Sequence, residues 1–328
     1  MKTVVRWGIL GTGTIAKKFA EALQTLPEAK IVAVGSRTRE TAENFARQFQ
    51  IPRAHASYEA LANDPEVEAI YIATPHSCHR DNALLCLNAG KAVLCEKPFT
   101  INAAQAAEVI ALARAKKILL MEAMWSRFFP LMFRLREMLA EKIIGDVQML
   151  TADFGFRAEW PAHERIFDPA LGGGALLDVG IYPVSLASMI FGAPKKIVST
   201  AELGASGVDE QAAMIFHYDN GALATLSTSI RVNTFCEALI LGTRGRIKIH
   251  SFWWKPAAMT LTRDDGKNEV IELPFPGNGY QFEAIEFMDL LRSGKLESQI
   301  IPLDETLSIL RTLDALRAQW GLKYPMEK

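Results

Sequence analysis

The stretch WGILGTGTIAKKF, from Trp7 to Phe19, decides the fold. An apolar run ends in Gly11 and Gly13, and Ile15, Phe19, Leu23 and Leu26 then recur at helical spacing. This predicts a buried strand, a tight turn and the start of a helix within a few residues. Gly11 suits the turn, Gly13 lets backbone approach an anion, and the small Ala16 keeps the helix close to the strand. Amides at a helix start attract phosphate. The run Gly11, Thr12, Gly13, Thr14, Ile15, Ala16 is therefore expected to lie under the pyrophosphate of a dinucleotide.

Outward from this turn the pattern alternates. Strands are expected at Lys30 to Gly35, Ala69 to Thr74, Ala92 to Cys95 and Ile118 to Met121. Helices are expected at Thr38 to Phe49, at Ser57 to Ala62, before Gly90, and at Asn102 to Lys116. Strands alternating with helices make a parallel sheet. Beyond Met121 a helix near Leu131 to Glu141 leads into alternating stretches. The turns Asp219-Asn220-Gly221, Thr243-Arg244-Gly245 and Asp264-Asp265-Gly266 join these stretches as hairpins. Helices at Gln281 to Leu291 and Asp304 to Trp320 close the chain. The expected fold is α/β: an N-terminal Rossmann domain with a parallel sheet over 1–122, and a C-terminal α+β domain with a large, mostly antiparallel open sheet over 123–328. A hinge at Met121 to Phe129 and a ligand cleft between the domains follow from this division.

Composition narrows the function. The 328 residues are 49% apolar, enough for more than one core. Lys and Arg number 36 against 37 Asp and Glu, with no basic stripe, which argues against a nucleic-acid partner. The N-terminus enters a strand directly, and no run reads as long and apolar enough to span a bilayer. A cytoplasmic protein without a membrane partner is expected. Cys78, Cys86, Cys95 and Cys236 lack CxxC spacing and read as reduced structural thiols.

The second strand ends Gly35-Ser36-Arg37, with Arg39 close behind. An NAD-preferring domain usually has a carboxylate there for the ribose hydroxyls. Here a hydroxyl and a guanidinium suit a 2′-phosphate, so NADP is the expected cofactor and NAD remains possible. A solvated pair of arginines at a helix start is the alternative.

Two further segments follow strands at the carboxyl edge of the sheet, where ligands of such folds sit. They are TPHSCH, Thr74 to His79, and CEKPFT, Cys95 to Thr100. Together with GTGTIA and GGGALLDVGIYPV, Gly172 to Val184, they make the whole chain resemble the Gfo/Idh/MocA oxidoreductase family. MEAMWSRFFP, Met121 to Pro130, and ALILGTRGRIKI, Ala238 to Ile249, resemble its dimeric dihydrodiol dehydrogenase branch, which includes NADP-dependent D-xylose dehydrogenases. The resemblance implies that Glu96-Lys97-Pro98 lies beside the nicotinamide, with Lys97 in the active site. It also implies that Asp178 and Tyr182 project toward the same point from a helix of the second domain. Many members have His where Tyr182 stands, which puts histidine-based proton transfer in doubt here.

Asp178 and Tyr182 at i, i+4 share one helix face and can converge on one hydroxyl. A free phenol has a pKa near ~10, and a neighbouring ammonium lowers it. The expected chemistry is an NAD(P)-dependent dehydrogenase or reductase acting on the CH–OH group of a sugar, polyol or cyclic diol. In that scheme Tyr182 exchanges the hydroxyl proton, Lys97 tunes Tyr182 and binds the substrate oxygen, Asp178 orients the group, and hydride passes to or from the nicotinamide. A core tyrosine and a structural carboxylate are the plain alternatives for Tyr182 and Asp178.

Thr74, Pro75, His76, His79, Glu96 and Lys97 are expected to line the cofactor, with His76 at the nicotinamide ribose and His79 at the cofactor loop. His76 and His79 have no convincing third ligand, so no metal is expected. Trp125, Arg127, Phe154, Phe156 and Phe282 are candidate substrate walls, with Phe128 and Trp160, and core packing is the alternative for most. A non-catalytic NADP-binding sensor of the same fold is the competing function. A flat sheet face including Ala224 to Ile230 is expected to pair in a homodimer.

Overall fold

The computed structural model describes residues 3–159 and 165–327, so Trp160 lies outside the described residues. By its internal contacts the chain forms two compact units, Met1–Trp125 with Pro276–Thr306, and Ser126–Phe275 with Leu307–Lys328.

The first unit is a parallel sheet with helical crossovers. Its elements are β1 (Val5–Leu10), α1 (Thr14–Gln24), β2 (Ala29–Gly35), α2 (Arg39–Phe49), β3 (Arg53–His55), α3 (Tyr58–Ala62), β4 (Ala69–Ile72), α4 (His79–Asn88), β5 (Ala92–Glu96), α5 (Ala103–Lys116) and β6 (Leu120–Ala123). The strands run in the order β3-β2-β1-β4-β5-β6, all parallel. Every residue of β4 and β5 is buried, because both faces of such a sheet are covered. Only β3 has no counterpart in the sequence pattern. Its three residues, Arg53-Ala54-His55, are half-buried and too short to show a period.

The second unit carries an eight-stranded sheet. After α6 (Pro130–Ala140) come β7 (Val147–Gly155), α7 (Ile181–Phe191), β8 (Lys196–Leu203), β9 (Asp209–His217), β10 (Leu223–Ser229), β11 (Ala238–Gly242), β12 (Gly245–Ile249), β13 (Ala258–Arg263) and β14 (Asn268–Glu272). Their order is β14-β13-β12-β11-β7-β10-β9-β8, antiparallel except between β7 and β10. The three expected hairpin turns join β9 to β10, β11 to β12 and β13 to β14.

Ahead of α7 the chain makes a π-helical turn, Leu176–Gly180. Pro183 is the reason: it has no N–H for the Val179 carbonyl, and its ring displaces that carbonyl, so the preceding turn widens. Asp178 therefore sits on this turn and Tyr182 on the regular helix, not both on one α-helical stripe. The stretch Pro169–Phe191, with a mean hydropathy of 1.6, is long and apolar enough to cross a membrane, contrary to the reading from sequence. Its apolarity has a local cause. Of its apolar 18-residue window 72% is buried within the fold, and a core helix is apolar all round.

Two helices end the chain, α8 (Tyr280–Arg292) and α9 (Leu303–Trp320). Although 123–328 reads from sequence as one domain, α8 packs in the first unit. Phe287 lies 5.1 Å from Trp7, whose other ring neighbour is Phe19 at 5.4 Å. Asn278 Nδ2 donates to the Lys18 carbonyl at 2.8 Å, and Arg292 Nε to that of Thr3 at 3.0 Å. An amphipathic stripe states that a helix is covered, not by what.

Candidate active site

Gly11 has φ of +106°, and a Cβ there would lie 2.8 Å from the Ala73 carbonyl oxygen, so only glycine fits this turn. Gly13 is the opposite case: a Cβ there would meet nothing within 4 Å. It begins α1, which has no side-chain cap and no acidic residue in its first turn. Thr14 and Ile15 are exposed beside it, while Ala16 is buried against the sheet. Open space over unclaimed helix-start amides is what a pyrophosphate needs, so the residues present fit a dinucleotide.

At the end of β2, the Ser36 hydroxyl is buried 2.6 Å from that of Thr41 and 3.5 Å from that of Thr12. Arg37 and Arg39 are exposed, and Arg39 pairs loosely with Glu43 at 3.5 Å. No carboxylate stands at Ser36 to Arg39.

The loops after β4 and β5 are tied together by one imidazole. His79 Nδ1 lies 2.8 Å from the Pro98 carbonyl oxygen and Nε2 lies 2.9 Å from that of Thr74. The Thr74 hydroxyl accepts from Asn82, and Pro75 and His76 follow, with the His76 ring 5.8 Å from that of His79. Beyond β5, Lys97 is half-buried, ahead of a cis peptide to Pro98. Its amide donates to Glu96 Oε2 at 3.1 Å, and Tyr71 donates its hydroxyl proton to Glu96 Oε1. The amide of Phe99 donates to Glu122 Oε1 at 3.2 Å. Two buried carboxylates thus hold the backbone on either side of Pro98. Trp125 stacks on Tyr280 at 4.5 Å, and Phe282 is half-buried in the same unit.

In the second unit, Tyr182 is 5% exposed and its ring lies 5.3 Å from Phe154. Phe154 in turn stacks on Trp254 at 3.5 Å. Phe156 is half-buried on the same strand extension. Asp178 is bonded to Arg165 at 2.5 Å. Arg127 is 2% exposed and donates to the Ser185 hydroxyl at 2.9 Å and carbonyl at 2.6 Å, one turn beyond Tyr182. At the head of the π turn, the Leu176 amide donates to Asp209 Oδ2 at 2.6 Å.

Residues 5–124 match the GFO/IDH/MocA oxidoreductase family with its NAD-binding Rossmann fold, and residues 132–248 match the GFO/IDH/MocA C-terminal domain. The chain belongs to this family. Its members include trans-1,2-dihydrobenzene-1,2-diol dehydrogenase of mouse (Mus musculus), 41% identical over 99% of both chains. The human (Homo sapiens) protein of that name is 39% identical over 99% of both. Among solved structures, a 3-ketoreductase from Actinomadura kijaniata in complex with NADP and TDP-benzene has a TM-score of 0.87 and 26% identity, covering 96% of this chain and 98% of its own. The protein is thus an NAD(P)-dependent oxidoreductase of the GFO/IDH/MocA type.

For a GFO/IDH/MocA enzyme, several site groups here escape a motif search. Tyr71, Glu122 and Glu283 lie inside apolar runs, Arg165 opens a short 3-10 turn and Trp254 lies in a loop. Glu283 leaves one signal, a carboxylate on the buried stripe with Tyr280, Ala284 and Phe287. Trp254 leaves another, since Trp253-Trp254 stands in a turn.

Proposed function

We propose that this oxidoreductase is an NADP-preferring dehydrogenase of secondary alcohols or hemiacetals on a sugar, polyol or cyclic diol. The observation that carries the substrate class is the aromatic cluster in which Tyr182 is tilted against Phe154 and Phe154 stacks on Trp254. A phenol set against flat apolar rings suits a ring bearing hydroxyls, with an apolar face for the wall and a polar edge for the tyrosine. The dihydrodiol dehydrogenases and the NADP-bound 3-ketoreductase support this class. Structures of that 3-ketoreductase include a Tyr→Phe and a Lys→Ala variant, the two residue types assigned here.

Bound nicotinamide supplies the hydride acceptor or donor. Tyr182 exchanges the proton of the reacting hydroxyl, and the Lys97 ammonium stabilises the phenolate and binds the substrate oxygen. Asp178, held by Arg165, orients the group. Trp125, Arg127, Phe156 and Phe282 complete the substrate assignment. Gly11 to Ile15 hold the pyrophosphate, Ser36, Arg37 and Arg39 the 2′-phosphate, and Thr74, Pro75, His76, His79, Glu96 and Lys97 the nicotinamide half. A cytoplasmic location and a homodimer complete the reading.

The direct test is Tyr182→Phe and Lys97→Met, assayed separately with NADP on a panel of sugars and diols. General acid–base catalysis contributes roughly 10²–10⁴-fold, and a loss of that order in turnover is expected for each. Turnover within a few-fold of wild type removes that residue from the mechanism.

A further inference from the structure

The π turn that carries Asp178 is entered through Gly172-Gly173-Gly174. The Gly173 and Gly174 amides donate to the Asp168 and Ile166 carbonyls at 2.9 and 2.7 Å. Here the chain presses against its own preceding turn: a Cβ on Gly173 would lie 2.5 Å from the Ile166 carbonyl oxygen and 2.8 Å from that of Arg165. Arg165 is the residue whose guanidinium holds Asp178. A displacement of Gly173 therefore reaches Asp178 by two routes, along the backbone of the turn and through Arg165. The turn's own bonding is weak at this point, since the Asp178 amide meets the Gly174 carbonyl at 3.3 Å, longer than an ordinary N–H···O bond.

Gly173 is fixed by a side chain 151 residues further on. Tyr324 follows α9 and is fully buried, and its hydroxyl donates to the Gly173 carbonyl at 2.6 Å. Burial pushes its phenol well above the ordinary range, so it stays a donor at neutral pH.

The ring is held in turn. The Arg317 guanidinium, 4% exposed on α9, lies 5.1 Å from its centre as a cation–π contact. Arg317 pairs with Glu327 at 2.6 and 2.9 Å and with Asp314 at 2.7 Å, and Glu327 accepts from the Tyr324 amide at 2.9 Å. A buried ion pair gains little net stability over apolar packing, so stability alone does not account for this one. What it does is keep the Tyr324 hydroxyl in one place.

We infer that Tyr324 is a positioning residue for the reaction, holding Gly173 so that Arg165 presents Asp178 to the substrate hydroxyl. This rests on the role proposed above for Asp178. Tyr324, Gly173, Arg165 and Asp178 all belong to the second unit, whereas the residues assigned to the cofactor belong to the first. The effect of Tyr324 accordingly falls on turnover and not on cofactor affinity.

Steady-state kinetics on the full chain test this, with NADP and the sugar or diol of the panel that wild type turns over fastest. Tyr324→Phe keeps the ring and its contact with Arg317 and removes only the bond to Gly173. It is expected to leave the KM for NADP unchanged and to lose roughly ten- to a hundredfold in kcat, the scale of an ångström-sized misplacement. Asp178→Asn is expected to be slow as well. Adding Tyr324→Phe to it is expected to cost less than about threefold more, because residues that act as one unit are not additive. Glu327→Gln keeps an acceptor for the Tyr324 amide but loosens Arg317, and is expected to show a smaller loss of the same pattern. A side chain that only stabilises the fold would lower the melting temperature and leave kcat at the wild-type value well below it. That result for Tyr324→Phe, or its full loss persisting beside Asp178→Asn, overturns the inference while leaving the role of Asp178 intact. A wild-type rate in Asp178→Asn overturns that role, and the inference with it.

Discussion

The imidazole of His79 reaches the Pro98 carbonyl oxygen through Nδ1 at 2.8 Å, and its other nitrogen meets the Thr74 carbonyl at 2.9 Å. Carbonyls only accept, so a ring satisfying both donates from both nitrogens. His79 is fully buried, and its loss leaves two carbonyls without that donor. His79→Leu is expected to cost about 2–6 kcal/mol of stability, at roughly 1–3 kcal/mol for each of the two abandoned groups, and to weaken cofactor binding. Urea denaturation checks the first part; a cost below about 1 kcal/mol means that water replaces the ring.

Asp209 makes stability depend on pH. Burial pushes its carboxyl from 3.8 up to about 7, against the pull of the Leu176 amide and Arg317. The folded chain therefore favours the protonated acid. Its contribution is full below the unfolded value and fades as pH rises toward about 7. Asp209→Asn keeps an acceptor for Leu176 and cannot ionise. Relative to wild type it should gain stability between pH 4 and 7, by at most about 4 kcal/mol at ~1.4 kcal/mol per pKa unit. Melting curves in which the two proteins run parallel across that range would contradict this.

Arg37 separates the two cofactors. It is exposed at the end of β2, where no carboxylate stands. Arg37→Ala is expected to weaken NADPH by about tenfold or more, since charge-assisted bonds contribute roughly 1.5–3 kcal/mol, and to leave NADH unchanged. Fluorescence titration with both cofactors decides it, and equal affinities before and after would sink the NADP assignment.

Trp254, stacked on Phe154 at 3.5 Å, is an expected wall of the substrate pocket. Trp254→Ala should raise KM several-fold with a smaller change in kcat, because a wall binds ground and transition states alike. A selective fall in kcat with KM unchanged would point instead to disturbance of Tyr182 through Phe154.

Val198, Ile215 and Thr225 lie opposite one another on β8, β9 and β10, and Val198 and Ile215 are about half exposed. A face with this much open apolar surface suits the expected twin subunit. Ile215→Glu should shift sedimentation from dimer toward monomer with the fold intact by circular dichroism. A wild-type monomer at working concentration ends the proposal.

What could be read from the chain depended on how local each feature is. Gly11 and Gly13 mark a local strand-to-helix turn, so that turn was legible, as were the hairpins at Asn220-Gly221 and Arg244-Gly245. The π turn under Asp178 was not, because it needs Pro183 to be weighed against a carbonyl four residues back. The destination of α8 was hidden too. Phe287 announces that it will be buried, but only the folded chain shows that Trp7, 280 residues earlier, is what it covers.

The return of Pro276–Thr306 to the first unit also sets an order of events during synthesis. A ribosome that has released residues 1–125 has made the whole parallel sheet but not the helix that covers Trp7. That surface stays open while some 150 further residues emerge, including the entire second sheet. The half that begins first is therefore completed after the other sheet has been made. A fragment ending near residue 125 is expected to aggregate, whereas the same fragment joined by a short linker to 276–306 should fold and bind cofactor by itself.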